Sequence, residues 1–193
     1  PMKGSYSIDP AVFCDDDGSH YMYFGGIWGG QLQRYRDNKA IENPCLPADN
    51  EPALPGRVVK LRDDMLEFAE APRAVLVLDE HGEPLKAGDP HRFFEASWMH
   101  KYNGKYYSTG DTHFLCYAIG DNPYGPFTYQ GVILTPVVGW TTHHAIVEYK
   151  GKWYLFHHDC VPSGGKTWLR SLKVVELEYD AEGKIITIDG GGE

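Results

Sequence analysis

Residues 93–104 read FFEASWMHKYNG, and they decide the fold. Aromatic and small apolar residues surround Glu95, which suggests a buried strand. Asn103-Gly104 is typical of a tight turn between two strands, because glycine adopts a positive φ without steric cost. A buried strand seldom carries a carboxylate without a reason, since burying an unpaired charge is costly. We therefore predict a β-hairpin that starts at Glu95 and presents this carboxylate for chemistry.

The same order of strand, glycine turn and strand occurs in residues 9–24 and in residues 143–156. Asp9 and Glu95 each lie nine positions before the glycine of their turn, and His143 lies eight positions before its own. Three polar side chains thus occupy nearly the same place at the start of three repeats. If the hairpins are arranged around an axis, the three side chains converge on one point.

The spacing of the repeats predicts an all-β propeller. Gly104 and Gly151 are 47 residues apart, which matches a four-stranded blade. Roughly 45 residues a blade gives about four blades in one partial propeller domain over residues 1–193, with almost no helix. The chain opens on an innermost strand and stops before the ring closes. We therefore expect a first blade upstream of residue 1.

Further strands are predicted around a long loop. Residues 31–55 are polar, rich in proline and asparagine, and without periodicity, which predicts a loop. Additional strands should complete the blades that the three hairpins begin. They are predicted at residues 57–61, 74–78, 112–119 and 127–134, with a final hairpin over residues 167–188.

The composition excludes several classes of partner. The formal net charge is −9, from 27 acidic and 18 basic residues, and no run of five basic residues occurs, so neither a nucleic acid nor an anionic membrane is an expected partner. The longest apolar run, residues 74–78, is too short to span a bilayer. The four cysteines show no zinc-site spacing and are predicted to be free thiols.

Asp9 and Glu95 together provide the minimum chemistry for glycoside hydrolysis. A protonated carboxyl group donates to the leaving oxygen, while an ionised carboxylate activates water. When two carboxyl groups lie close together, the pKa of one rises, because both cannot ionise freely at short range. In the alternative interpretation, Asp9 caps a turn before Pro10 and Glu95 forms a structural ion pair with Arg92. Spacing alone leaves both interpretations open.

The histidines raise a similar choice between the site and the core. His143 and His144 are neighbours on a predicted strand, so only one of them can face the axis. A hydrogen-bonded core histidine is the alternative for either. The run His157-His158-Asp159 contains metal-ligating residue types, but alternation divides it between two faces, and we predict a structural role.

Several motifs cover nearly the whole chain. They are Ser7–Phe13 with Asp16–Gly18, Phe94–Trp98, Asp121–Phe127 and Thr142–Glu148. In sequence and in order, these motifs resemble glycoside hydrolase family 43. The resemblance implies a five-bladed β-propeller of inverting β-xylosidases, α-L-arabinofuranosidases and arabinanases. Residues 25–30, GGIWGG, are most similar to the β-xylosidase branch, which implies exo-hydrolysis of β-1,4-xylo-oligosaccharides in plant cell-wall breakdown.

The resemblance also implies roles for individual residues. Glu95 matches the family's general acid, and Asp9 matches the residue that tunes the pKa of that acid and orients the substrate. His143 matches the axial histidine that in many members helps to hold a calcium ion, or its waters, in the central channel. No organic cofactor is implied.

The other implied site residues contact the substrate, a xylo- or arabino-oligosaccharide. Arg170 resembles the last-blade arginine that faces the site. Trp28 and Trp140 resemble walls of a shallow sugar pocket, with His143 beside them.

Two departures from the family pattern keep alternatives open. The family's general base is an aspartate in an earlier blade, and no residue of this chain matches it. The strand after Gly104, residues 105–110, also stops where its counterpart at residues 152–157 continues. The alternatives are an α-L-arabinofuranosidase or arabinanase of the same family, and a sugar-binding propeller that does not hydrolyse its ligand.

Overall fold

The computed structural model describes residues 8–26, 47–111, 113–140 and 142–192. In this part of the chain, twelve strands form three sheets, and helix is limited to one 3-10 turn at Val161–Ser163. No helix among these residues is long and apolar enough to cross a membrane. The strands are β1 Ala11–Cys14, β2 His20–Phe24, β3 Gly56–Lys60, β4 Arg73–Val75, β5 Val77–Leu78, β6 Glu95–Tyr102, β7 Lys105–Asp111, β8 Leu115–Gly120, β9 Phe127–Leu134, β10 Ala145–Tyr149, β11 Lys152–Asp159 and β12 Ser171–Leu177.

The first sheet has the antiparallel order β1-β2-β3-β4 and contains the predicted first hairpin. The single strand predicted at residues 74–78 is wrong, because the structure divides it in two. β4 completes the first sheet, whereas β5 pairs in parallel with β9 of the second. Leu76 lies between them, half-exposed, and its carbonyl accepts a hydrogen bond from the Phe127 amide at 2.9 Å. The chain therefore passes from one sheet to the next at this residue.

The second sheet has the order β5-β9-β8-β7-β6 and contains the hairpin that starts at Glu95. β9 has the bounds predicted from the sequence. β8 begins three residues later than predicted, at Leu115, because His113 lies in the turn from β7 with a φ of 107°. At this φ the backbone leaves the extended conformation of a strand.

The third sheet has the order β10-β11-β12 and contains the third predicted hairpin. β7 has seven residues and its counterpart β11 has eight, so the shortening expected after Gly104 amounts to one residue of strand. The predicted final hairpin is present only in part. β12 starts at Ser171, and its return segment is held by an isolated bridge between Tyr179 and Ile185 and by one between Ile188 and Leu134 of the second sheet.

The three sheets pack in the manner of neighbouring propeller blades. β6, the first strand of its hairpin, contacts both β1 and β10, which are the first strands of the other two. One apolar cluster joins the first and second sheets, and another joins the second and third. Of the roughly four blades expected from chain length, the described residues supply three sheets. No disulfide joins the three cysteines in these residues, of which Cys116 and Cys160 are buried and Cys14 is exposed.

His100 is buried in the aromatic contact between the second and third sheets. Its Nε2 atom lies 2.7 Å from the Tyr179 hydroxyl oxygen, and its ring stacks on Tyr107. Burial lowers the pKa of His100 from 6.5 to about 3, because it disfavours the charged imidazolium. Burial also lowers the pKa of His144 well below its ordinary value.

We predict that the free energy of unfolding falls as the pH decreases from about 6.5 towards 3. In this window the unfolded chain binds protons that the folded chain excludes, so acid favours unfolding. Urea unfolding at pH 7.5, 6 and 5 measures the slope. His100→Gln, whose amide can still bond to Tyr179, should have a shallower slope, by up to about 1.4 kcal/mol per pH unit. Equal slopes for the two proteins would contradict this explanation.

Candidate active site

The Asp9 carboxylate brings the starts of the three hairpins together. Its Oδ2 atom accepts a hydrogen bond from the Ala96 amide at 3.2 Å, and its Oδ1 atom lies 3.7 Å from His143 Nδ1. Ala96 directly follows Glu95 at the start of β6. The convergence predicted from the repeat spacing is therefore confirmed for Asp9, His143 and the backbone beside Glu95.

The backbone at this point is shaped for the contact. Glu95 pairs with Asp111 and Trp98 pairs with Thr109, so two residues of β6 oppose one residue of β7 in a β-bulge. Ala96 lies in the bulge with a φ of 57°, and Asp9 has a φ of 52°. Positive φ values are costly for residues other than glycine, and they occur often at functional sites. Bulges likewise re-aim side chains near active sites.

Small residues leave room for the Glu95 side chain, which is half-buried. A Cβ atom on Gly26 would lie 3.3 Å from Glu95 Cβ and 2.5 Å from Ile8 Cδ1. A Cβ atom on Gly110 would lie 2.9 Å from the Phe93 ring. These glycines let the neighbouring backbone approach closely on both sides of the start of β6.

The alternative structural roles receive little support from the geometry. Asp9 bonds to Ala96 in another sheet, 87 positions away, which is not a local cap before Pro10. The Arg92 Nε atom donates to the Ala87 carbonyl at 2.7 Å, and the nearby charge that favours its protonated form belongs to Asp89. Both groups lie in the loop that precedes β6.

The two adjacent histidines point in opposite directions, as predicted. The His143 side chain is 44% exposed and faces Asp9. His144 is buried, and its Nε2 atom lies 2.6 Å from the Thr109 hydroxyl oxygen. His143 therefore belongs to the site and His144 to the core between the second and third sheets.

His158 holds the backbone of the segment that carries His143, and this contact fits the structural role predicted for residues 157–159. The His143 amide donates to His158 Nε2 at 3.3 Å, and the Thr142 hydroxyl donates to the His158 carbonyl at 2.8 Å. Burial lowers the pKa of His158, and the positive charge of Arg170 lowers it further. His158 is less buried than its two neighbours, as strand alternation predicts.

Two of the remaining predicted substrate residues, Trp140 and Arg170, are joined through Thr167. The Arg170 Nε atom donates to the Thr167 carbonyl at 3.2 Å, and its charge acts on His158. The Trp140 amide donates to the Thr167 hydroxyl at 3.0 Å, and 58% of Trp140 is exposed. Thr167 thus joins the backbone of Trp140 to the side chain of Arg170. Trp28 lies outside the residues that the structure describes.

The donor atoms around His143 limit how a calcium ion could be held. Calcium takes six to eight oxygen ligands, and an imidazole nitrogen is a poor direct ligand for it. Within the described ranges, no group of three or more histidine, cysteine or acidic residues could hold a metal ion. The Asp9 carboxylate suits calcium, so these residues fit such an ion only if most of its shell is water.

A family model for glycosyl hydrolases family 43 matches residues 1–185. The chain belongs to this family. It is 77% identical to a xylosidase/arabinosidase of Bacteroides ovatus, over 100% of the chain and 61% of the relative. It is 74% identical to a beta-xylosidase of Xylanibacter ruminicola, over 97% of the chain and 60% of the relative.

Solved structures of family members have the same fold. RS223-Beta-xylosidase superposes with a TM-score of 0.91 at 69% identity, over 100% of the chain and 60% of the neighbour. CoXyl43 is a beta-xylosidase/alpha-arabinofuranosidase from a compost metagenome, solved with xylotriose in a calcium-free form. It superposes with a TM-score of 0.92 at 57% identity, over 100% of the chain and 61% of the neighbour. The chain therefore spans about three fifths of these relatives, and its all-β fold is part of a five-bladed propeller.

Substitutions at Asp9 test how its hydrogen bond to Ala96 and its positive φ affect the stability of the fold. Asp9→Ala should lower the free energy of unfolding by about 2 kcal/mol, because it removes the bond to Ala96 and is strained at positive φ. Asp9→Gly loses only the bond, so its free energy of unfolding should lie between those of Asp9→Ala and the parent protein. Asp9→Asn keeps an acceptor and tolerates the backbone, so it should change stability least. Urea unfolding gives the order, and equal stability of all three variants would refute it.

Proposed function

We propose that this chain is one partial propeller domain carrying the acid side of an inverting glycosidase site that acts on β-1,4-xylo-oligosaccharides. The observation that carries the proposal is the hydrogen bond from the Ala96 amide, directly after Glu95, to the Asp9 carboxylate. His143 lies beside the same carboxylate. Membership of the glycosyl hydrolase family and the beta-xylosidase names of relatives support the reaction and the sugar.

Glu95 is the proton donor in this proposal. The start of β6 holds it half-buried between closely packed glycine backbones, where partial desolvation favours the protonated form. It would give its proton to the glycosidic oxygen as the bond to the sugar breaks. Water activated by a general base would attack the opposite face, with acid and base roughly 6.5–9.5 Å apart. We assign no general base among the described residues.

Asp9 acts on this proton donor without transferring the proton itself. Its carboxylate is fixed by the Ala96 amide, one residue from the acid. A negative charge held there raises the pKa of the Glu95 carboxyl and keeps it protonated at a higher pH. His143 and Arg170 complete the proposed site and supply hydrogen-bond donors for sugar hydroxyls.

The proposal includes a hydrated calcium ion beside His143 and Asp9. Two observations support it: the Asp9 carboxylate faces His143, and one relative was solved in what is described as a calcium-free form. When bound, the ion would add positive charge next to Asp9. Calorimetric titration of the whole protein with calcium, compared with His143→Ala, measures this contribution.

Glu95→Gln tests the role of the acid through the leaving group. Hydrolysis of xylobiose, whose leaving sugar needs a proton, should fall by about 10²–10⁴-fold in kcat/KM. Hydrolysis of 2,4-dinitrophenyl β-D-xylopyranoside should fall far less, because its leaving group departs as an anion. Glu80→Gln is the control, since this carboxylate is 85% exposed in a remote turn.

Three outcomes would contradict the proposal. Equal losses on both substrates would mean that Glu95 is not the proton donor. No hydrolysis of any xyloside by the parent protein, with xylotriose still bound, would favour a sugar-binding propeller. Faster hydrolysis of nitrophenyl α-L-arabinofuranoside than of the xyloside would favour the arabinofuranosidase alternative, which the xylosidase/arabinosidase name of one relative suggests.

Asp9→Asn tests the proposed effect of Asp9 on the acid. Removing the negative charge should lower the pKa of Glu95, so the alkaline limb of the kcat/KM profile should move to lower pH. Asp64→Asn, in a remote turn where the side chain accepts a bond from the Leu66 amide, is the matched control. An unchanged alkaline limb in Asp9→Asn would exclude the tuning role.

A further inference from the structure

The start of the third hairpin is bonded to the second sheet at two points, and both lie on one residue pair. The His144 Nε2 atom lies 2.6 Å from the Thr109 hydroxyl oxygen. The Trp98 Nε1 atom donates to the Ile146 carbonyl at 3.1 Å. Trp98 and Thr109 are partners in the register of β6 and β7, and they close the β-bulge at the start of β6. The segment that carries His143 is therefore fastened to the bulge that presents the proposed proton donor.

The bond between His144 and Thr109 is shielded from water. Both residues are only 4% exposed, and the Trp98 ring lies beside the imidazole at 6.4 Å between centroids. A buried hydrogen bond is costly to leave unmade, because water cannot replace the missing partner. Burial therefore holds His144 and Thr109 together.

The bond to Thr109 also fixes the His144 ring. Burial lowers the pKa of His144, so the imidazole is neutral and one of its nitrogens carries the hydrogen. Nδ1 is buried and has no hydrogen-bond partner within the described ranges. The Thr109 hydroxyl lies 3.4 Å from the Trp98 carbonyl oxygen, to which it donates while it accepts from His144 Nε2. With the hydrogen on Nε2, the bonds run from His144 through Thr109 to the backbone of β6.

The position of His143 depends on where His144 is held. The two residues are consecutive, so their Cα atoms are about 3.8 Å apart. Their side chains leave the chain in opposite directions, and the His143 Nδ1 atom lies 3.7 Å from Asp9 Oδ1. Because 44% of the His143 side chain is exposed, packing holds it less firmly than it holds His144. A shift of His144 would therefore move His143 relative to Asp9.

We propose that Thr109 is a positioning residue of the glycosidase site, which acts through His144 to set His143 against the Asp9 carboxylate. Thr109 is buried and does not itself contact the sugar. Its hydroxyl links the bulge at the start of β6 to the segment that presents His143. This inference rests on the proposed function, in which His143 donates hydrogen bonds to sugar hydroxyls, and it names what holds that donor in place.

Thr109→Val tests the proposal, because it keeps the shape of the side chain and removes the hydroxyl. Calorimetric binding of xylotriose to the whole protein measures the effect without hydrolysis, in the Glu95→Gln background and at one fixed calcium concentration. The Kd should rise about tenfold, because a small misplacement of a binding group is enough for such a loss. Thr109→Ser restores the hydroxyl and should return the Kd close to that of the parent.

A double-mutant cycle with His143→Ala separates positioning from a general loss of structure. If Thr109 acts through His143, Thr109→Val should raise the Kd when His143 is present and leave it unchanged in His143→Ala. Thr187→Val is the matched control, because its hydroxyl also bonds to the second sheet, to the Val132 carbonyl at 2.8 Å. This control should keep the Kd of the parent. His144→Met removes the donor from the other end of the bond and carries the same test if Thr109→Val does not fold.

Three results would overturn the positioning role. They are an unchanged Kd in Thr109→Val, additive effects of the Thr109 and His143 substitutions, and an unchanged Kd in His143→Ala. The two proposals can fail separately. If the parent protein hydrolyses xylobiose while Thr109→Val binds xylotriose normally, only the positioning role fails. If the parent hydrolyses nothing but Thr109→Val loses xylotriose affinity in a manner that depends on His143, only the catalytic proposal fails.

Discussion

The contact between the Asp9 carboxylate and the Ala96 amide is the interaction on which the site depends. It joins the first sheet to the second at the residue after Glu95, and the other oxygen of the same carboxylate faces His143 of the third sheet. A carboxylate that accepts from a backbone amide makes a strong, directional bond. Because each of the three groups starts the first strand of its hairpin, any shift between sheets would break this contact.

Contacts farther from the site hold the sheets at the positions that this bond requires. The Tyr106 hydroxyl donates to Asp15 at 2.6 Å across the first and second sheets, and Lys101 binds the same carboxylate at 2.9 Å. Between the second and third sheets, the rings of Tyr102 and Tyr179 stack at 3.7 Å. Close-packed aromatic interfaces have few alternative arrangements, so the sheets have one relative position and the site has one geometry.

Some of the fold followed from local patterns alone. The three hairpins and β9 could be predicted because strand alternation and turn glycines act over a few residues. The break at Leu76 could not, because a two-residue strand such as β5 exists only through its partner β9. In the same way, the bond from the His143 amide to His158 depends on the register of β10 and β11.

The sequence by itself determined the all-β repeat architecture, the family, and the three polar positions that begin the hairpins. These properties are encoded in periodicity, turn residues and motif order, which do not depend on how the sheets pack. Only the tertiary structure decided which atoms meet: that Asp9 binds the amide after Glu95, and that the His143 amide binds the His158 ring. Such contacts join residues far apart in sequence, and they form only when packing between sheets overrides the local preferences of the chain.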